Sequence, residues 1–184
     1  MTHVIHSINI TASGSCHHEH AVADEEHHRY ALDLLVSAGA VLLGRNTFDL
    51  FAMFWPEAVS RADLPSYMAR FAAELDTKPK YVVSSRSLGV AWKHTNLLRG
   101  PELDAVTQFI RATSGIVVVF GSPSLGTSLA SRGLVNEIHV VVQPFVGPAK
   151  MRPFDGLGAQ KSLTLLEARP FRSGAVLLRY AVEA

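Results

Sequence analysis

Hydrophobic positions along the chain fall into short runs, and their spacing alternates between two periods. Val4–Ile10 is apolar and β-branched, which predicts a first strand. The small, polar, histidine-rich stretch from Thr11 to Ala23 reads as a loop. Asp24 is a good N-cap, with Glu25 and Glu26 where a helix dipole favours acids. His27, Ala31, Leu34, Leu35 and Ala38 then recur at helical spacing, and Gly39 is expected to close that helix. Ala40–Leu43 reads as a buried strand, Phe48–Phe54 as a short helix that Trp55-Pro56 stops, and residues 66–75 as an amphipathic helix. Tyr81–Ser84 is a predicted strand after the Lys78-Pro79 turn. Val90–Leu98 is irregular, with a short strand at its end. Glu102–Ala112 is helical, Ile116–Phe120 an all-apolar strand, Ser124–Ser131 a helix ended by Gly133, and Glu137–Val142 a strand. Leu163–Arg169 and Ala175–Ala181 alternate apolar and polar residues around Gly174, the pattern of a closing antiparallel hairpin.

Strands alternating with helices, several of them apolar on both faces, predict a mostly parallel mixed sheet flanked by helices, with an antiparallel hairpin at its end. No repeat or linker divides the 184 residues, so one domain over residues 1–184 is expected.

Charge narrows the function classes. Lys plus Arg number 17 and Asp plus Glu 16, a formal net charge of +1. Neither a nucleic-acid field nor a polybasic membrane patch is present. Any bound anion must therefore be held by a local site. The lone cysteine, Cys16, fits a reducing compartment. Met1-Thr2-His3 lacks the layout of a signal peptide, and no apolar run approaches the ~20 residues of a spanning helix. A cytoplasmic protein is expected.

Two strand-to-helix junctions carry candidate chemistry: Gly44-Arg45-Asn46-Thr47, and Gly121-Ser122-Pro123-Ser124 followed by Leu125. In each, a glycine permits a sharp turn where a helix begins. The free backbone N–H groups and dipole of such a point attract anions. Side by side at the carboxyl ends of parallel strands, the two would clamp a pyrophosphate, with Arg45 adding a forked contact. Ordinary capping is the alternative: Ser122 as N-cap with Pro123 at the first helical position is good helix-starting chemistry. The spacing of Gly121 and Gly126 is not that of the G-x-G-x-x-G fingerprint. Ser84, Ser85 and Arg86 end another strand and suit a ribose 2′-phosphate or, alternatively, a solvated turn.

Taken in order, these segments resemble a family. Gly44-Arg45-Asn46-Thr47-Phe48 resembles the G-R-x-T-aromatic segment of dihydrofolate reductases. The remaining segments fit better with the reductase domain of bacterial riboflavin biosynthesis and its stand-alone relatives. Asp24–Tyr30 resembles the start of their first helix, Lys80–Arg86 their K-x-V-x-S-R strand, and Trp92–Asn96 their W-x-N-T segment. Gly133-Leu134-Val135-Asn136-Glu137 resembles G-L-[VI]-D-E, and Pro144, Gly147 and Phe154 fit a further loop. The resemblance implies a dihydrofolate-reductase-like three-layer α/β/α fold, NADPH as cofactor, and a homodimer. It implies reduction of a C=N or C=O group in a small heterocycle, such as 5-amino-6-(5-phosphoribosylamino)uracil or a dihydrofolate. It places Gly44, Arg45, Asn46 and Thr47 at the phosphates and Ser84, Ser85 and Arg86 at the 2′-phosphate. Gly121, Ser122, Ser124 and Leu125 fall at the pyrophosphate and nicotinamide.

Two departures bear on the substrate side. Ser13 of Thr11-Ala12-Ser13-Gly14 stands where the family has an aspartate, and Pro148 and Ala149 stand where glycines are common. The proton donor is therefore open among Asp24, Glu26, His27 and water. Asn9, Ser13, Tyr30 and Trp55 are candidate substrate contacts, with Phe54 a further aromatic wall. A nucleotide-binding module that has lost its catalytic acid is one alternative. A metal-dependent hydrolase is another: Cys16, His17, His18, Glu19 and His20 are competent zinc ligands, yet none pairs at i, i+4 on a helix.

Overall fold

A computed structural model of the chain describes residues 2–21, 23–99, 104–148 and 151–183. The expected helix start at Glu102 and the departure at Ala149 lie outside the described residues. So does the side chain of His20.

Eight strands form one sheet in the order β4-β3-β2-β5-β1-β6-β8-β7. They are β1 (Thr2–Thr11), β2 (Ala38–Gly44), β3 (Lys80–Val83), β4 (Thr95–Leu98), β5 (Gly115–Phe120), β6 (Glu137–Gln143), β7 (Leu163–Pro170) and β8 (Val176–Val182). The first six run parallel, β8 is antiparallel to β6, and β7 pairs antiparallel with β8. The helices are α1 (Glu25–Ser37), α2 (Arg45–Ala52), α3 (Trp55–Ala58), α4 (Ser66–Thr77), α5 (Asp104–Ala112) and α6 (Pro123–Ser131), and a 3-10 turn spans His18–His20.

The apolar strands are buried on both faces because side chains alternate. Val41, Leu43, Val118 and Phe120 pack under α1, α2 and α4 with Tyr30, Phe48 and Phe71. Their neighbours Ala40, Leu42, Val117 and Val119 join Val106, Ile110, Leu125 and Leu129 of α5 and α6 on the other side. These two cores place helices on both faces of the sheet, as the alternation of elements predicts and as the three-layer form implied by the resemblance requires.

Several boundaries differ from the sequence reading: the helix expected over Phe48–Phe54 runs from Arg45 to Ala52, and three other differences have a visible cause. Gly39 does not close α1. Ala38 turns directly into extended backbone while its N–H still bonds Leu34 and Leu35, and Gly39 lies within β2 beside an irregularity in the pairing with β5. Trp55-Pro56 does not stop α2, which already ends at Ala52. It opens α3, where the missing proline N–H falls among donors that a first turn leaves free. Ser84 lies beyond β3, which ends at Val83, although its N–H still donates to the Leu98 carbonyl at 3.3 Å.

Lys80 is fully buried on β3 and donates to the carbonyls of Leu75 at 2.8 Å, Lys78 at 3.0 Å and Asp76 at 3.3 Å. Its ammonium sits 4.6 Å from the Trp92 ring. One cation thus satisfies the C-terminal carbonyls of α4 and complements its dipole. Among the described residues, no helix is long and apolar enough to cross a membrane.

Candidate functional site

The connection from β2 leads outward to β3, whereas β5 lies between β2 and β1 and leads the other way to β6. The helices after these strands pack on opposite faces, α2 through Phe48 and α6 through Leu125. The carboxyl ends of β2 and β5 therefore form a switch point, where open sheets leave a crevice. A cavity of about 1050 Å³ opens there.

The two junctions that frame it are bonded to each other. The Gly44 N–H donates to Ser122 Oγ at 2.8 Å, and the Ser122 N–H donates to Thr47 Oγ1 at 3.0 Å. Ser122 Oγ in turn donates to the Phe120 carbonyl at 2.9 Å. Gly121 and Ser122 both have positive φ, 52° and 50°. That conformation costs a serine about 1 kcal/mol or more. Ser122 therefore does not act as the expected N-cap: its hydroxyl is spent on the bridge, and no side chain caps α6. Nor does any side chain cap α2, whose N-cap position is Gly44. Two uncapped helix N-termini thus converge on one crevice.

The close approach of α6 to β1 depends on Gly126. A Cβ there would fall 2.0–2.5 Å from the His6 ring atoms. His6 is fully buried, and its Nε2 donates to the Gly121 carbonyl at 2.7 Å. Burial draws its pKa down to about 4, so the ring is neutral near pH 7.

Arg45 reaches the crevice partly committed. Its Nε donates to Asp49 Oδ2 at 2.7 Å and Oδ1 at 2.9 Å, and one terminal nitrogen donates to the Ser87 carbonyl at 2.6 Å. That contact ties the crevice to the turn after β3. There Ser84 Oγ accepts from the Arg86 N–H, and Arg99 donates to Ser87 Oγ at 2.7 Å. Ser84, Ser85 and Arg86 are not among the described residues lining the cavity; they stand outside it, on the same edge of the sheet.

The expected residues separate clearly. Gly44, Arg45, Asn46, Thr47, Gly121, Ser122, Ser124 and Leu125 all line the cavity, as do Asn9, His27, Tyr30 and Trp55. Asp24, Glu26, Ser13 and Phe54 do not. Asp24 caps α1 through the His27 N–H at 2.8 Å, and Glu26 accepts from the Arg172 N–H. Ser13 Oγ donates to the Gly147 carbonyl at 2.8 Å and closes a turn. Phe54 packs edge-on against Trp55.

The histidine-rich loop forms part of the cavity wall through Cys16, His17 and His18, joined by His28 from α1. Among the described residues no three of His, Cys, Asp and Glu converge as a metal-binding group. Burial pushes the Cys16 thiol up, away from the reactive thiolate. His28 Nδ1 donates to the Asp24 carbonyl at 2.9 Å, leaving Nε2 as its second polar atom. Trp55, Phe71, Phe51 and Phe120 give the cavity an aromatic side. Sequence reasoning missed Ser7, which lines the cavity at the β5 turn and accepts the Gly121 N–H at 2.8 Å through its carbonyl. A polar residue inside an apolar strand was the available signal.

Comparison with known proteins places this geometry. A model of the RibD C-terminal domain matches residues 3–177. The chain belongs to that family. The uncharacterized protein YyaP of Bacillus subtilis (strain 168) is 24% identical over 148 residues, covering 80% of this chain and 76% of YyaP. A protein from Shewanella sp. PV-4, provisionally assigned to riboflavin biosynthesis, superposes with a TM-score of 0.72 at 15% identity over 99% of each chain. The dihydrofolate reductase of Enterococcus faecalis, solved with NADP(H), superposes at 0.61 with 12% identity, covering 99% of this chain and 97% of that one. The RibD C-terminal domain family therefore shares its fold with dihydrofolate reductase.

Proposed function

We propose that this member of the RibD C-terminal domain family is a cytoplasmic, NADPH-dependent reductase. Its substrate would be a small flat heterocycle, such as a ribosylamino-pyrimidine. The convergence of two uncapped helix N-termini at the switch point, bridged by Ser122, carries the reading. It fits a pyrophosphate, because backbone donors and aligned dipoles favour an anion there. The cavity is also large enough for a dinucleotide's reactive half and a ring beside it.

In this reading Asn46, Thr47, Ser124 and Leu125 hold the pyrophosphate by their first-turn N–H groups. Gly121 keeps the backbone close, since a Cβ there would press on Thr47 at 3.4 Å. The 2′-phosphate falls to the turn after β3, where Arg86 and Arg99 join the free end of Arg45. When bound, the dihydronicotinamide supplies two electrons and one hydrogen. The protein's part is to orient the substrate against the aromatic side, exclude water and furnish a proton. Ser13 lies outside the cavity, so the missing aspartate does not by itself argue for a non-catalytic module.

Titration with NADPH and NADH, followed by nicotinamide fluorescence, tests this. We expect micromolar NADPH binding and weaker NADH binding. In Arg86→Ala the preference for NADPH should shrink about tenfold, the equivalent of ~1.4 kcal/mol. Binding of neither nucleotide would overturn the reductase assignment.

A further inference from the structure

One connected set of polar side chains is left unused by the cofactor site. Ser7 and His139 are register partners on the adjacent parallel strands β1 and β6. Their side chains therefore leave the sheet on one face. Tyr30 descends from α1 between them, its hydroxyl 2.9 Å from Ser7 Oγ and 3.0 Å from His139 Nδ1. His139 Nε2 lies 2.8 Å from Glu137 Oε2. His139 is 1% exposed, whereas Ser7 and Tyr30 line the cavity.

The direction of each hydrogen bond follows from donor chemistry. His139 Nε2 faces two groups, the Glu137 carboxylate at 2.8 Å, which only accepts, and the Arg179 Nε–H at 3.3 Å, which only donates; the shorter contact, to Glu137, places the proton on Nε2. In the neutral ring Nδ1 is then an acceptor. Tyr30 donates to it, Ser7 donates to Tyr30, and Ser7 shows the cavity an oxygen lone pair. A second proton on Nδ1 reverses both bonds. His139 then donates to Tyr30, Tyr30 donates to Ser7, and the Ser7 proton turns toward the cavity. One ionisation thus sets whether the cavity meets an acceptor or a donor.

We propose that Ser7 Oγ is the proton donor to the ligand in this cavity, drawing through Tyr30 on a proton stored at His139, which Glu137 orients. The proposal rests on the reductase reading for the step it serves. In that step the π bond of a C=N group breaks, and its carbon takes a hydrogen and two electrons from the dihydronicotinamide, which is oxidised. The nitrogen takes the Ser7 proton to form N–H. Ser7 takes the Tyr30 proton, Tyr30 takes the Nδ1 proton, and His139 returns to neutral. Water in the open cavity refills the chain between turnovers.

The groups facing His139 are Glu137 on β6, Arg179 on β8, Glu167 on β7 and Tyr30 on α1, while His6 on β1 acts on it only electrostatically, from the other face of the sheet. Burial and Arg179 lower its pKa below the ordinary value, against the pull of the two glutamates. Burial raises the Glu137 pKa, but hydrogen bonds from His139, His3 and Arg179 outweigh it and hold the carboxylate ionised. Ser7 is the catalytic residue in this scheme. Tyr30, His139 and Glu137 act through it as positioning and storage groups.

Two measurements on the full chain test the proposal. In ¹⁵N-histidine-labelled protein without nucleotide, His139 should be the Nε2–H tautomer at high pH, with Nδ1 showing the shift of a hydrogen-bonded acceptor. In Tyr30→Phe that shift should move to the value of an unpaired nitrogen. The pH profile of NADPH oxidation with 5-amino-6-(5-phosphoribosylamino)uracil should lose kcat above the His139 pKa. Tyr30→Phe should lower kcat by about 100-fold, the usual scale of general-acid catalysis, with little change in KM. In Glu137→Gln the kinetic limb and the NMR pKa should fall together, and Ser7→Ala should reproduce the kcat loss with His139 still titrating. An Nδ1–H tautomer, an unaffected Nδ1 in Tyr30→Phe, or a kinetic limb that stays put while the NMR pKa moves would overturn it. If NADPH does not bind, the reductase reading fails by itself, while the NMR arm still decides the relay.

Discussion

At the residue scale, His6 and Gly126 show how tightly the floor of the site is drawn. Gly126→Ala would put a methyl group within 2.5 Å of a buried ring that is held from the other side by the Gly121 carbonyl. The ring cannot swing aside without losing that bond, so we expect a loss of about 2–3 kcal/mol, read as a lower urea midpoint at unchanged m-value. His6 also makes stability depend on acid. Its folded pKa of about 4 lies below the ordinary 6.5, so the unfolded chain binds the extra proton first as pH falls. The His6 contribution is complete above pH 6.5 and drains away between 6.5 and 4, reaching about 3 kcal/mol. Urea unfolding at pH 7, 5.5 and 4.5 measures it. An unfolding free energy that stays flat over that window, or a His6 ring that titrates near 6.5, would contradict the buried neutral ring.

At the element scale, Lys80 joins β3 to the end of α4. Lys80→Met keeps the aliphatic stem but leaves three carbonyls without their donor. We expect a cost of about 2–3 kcal/mol and faster amide exchange confined to the last turn of α4. Exchange unchanged at residues 75–78 would show that the carbonyls find other partners. The elements themselves were largely legible in the sequence, because apolar runs of strand length and 3.6-residue stripes leave few alternatives. Both glycine junctions were legible too. The role of Ser122 was not, since its partners Gly44 and Thr47 are 78 and 75 residues away and only the fold brings them close. The Ser7–Tyr30–His139–Glu137 chain was hidden for the same reason: Tyr30 meets His139 across 109 residues. Local spacing also pointed to Asp24 and Glu26 as acids, but helix capping and Arg172 had already claimed them.

At the scale of the whole molecule, the sheet has two very different edges. β4 is short. β7 is an eight-residue strand with Leu163, Leu165 and Leu166 exposed at 41%, 53% and 50%. A long apolar edge left open invites strand pairing or aggregation unless a partner covers it. We propose a homodimer across β7. Sedimentation should give a dimer for the wild type and a monomer for Leu165→Lys, and a monomeric wild type would dismiss that face.

The switch point itself is the feature on which the functional account stands. It is tested most directly by mapping backbone amide shifts while NADPH is added to the ¹⁵N-labelled protein. Saturable shifts are expected at Asn46, Thr47, Ser124 and Leu125, with a second group around Arg86 that NADH does not reproduce. Shifts gathered elsewhere on the molecule, or none at millimolar nucleotide, would contradict it.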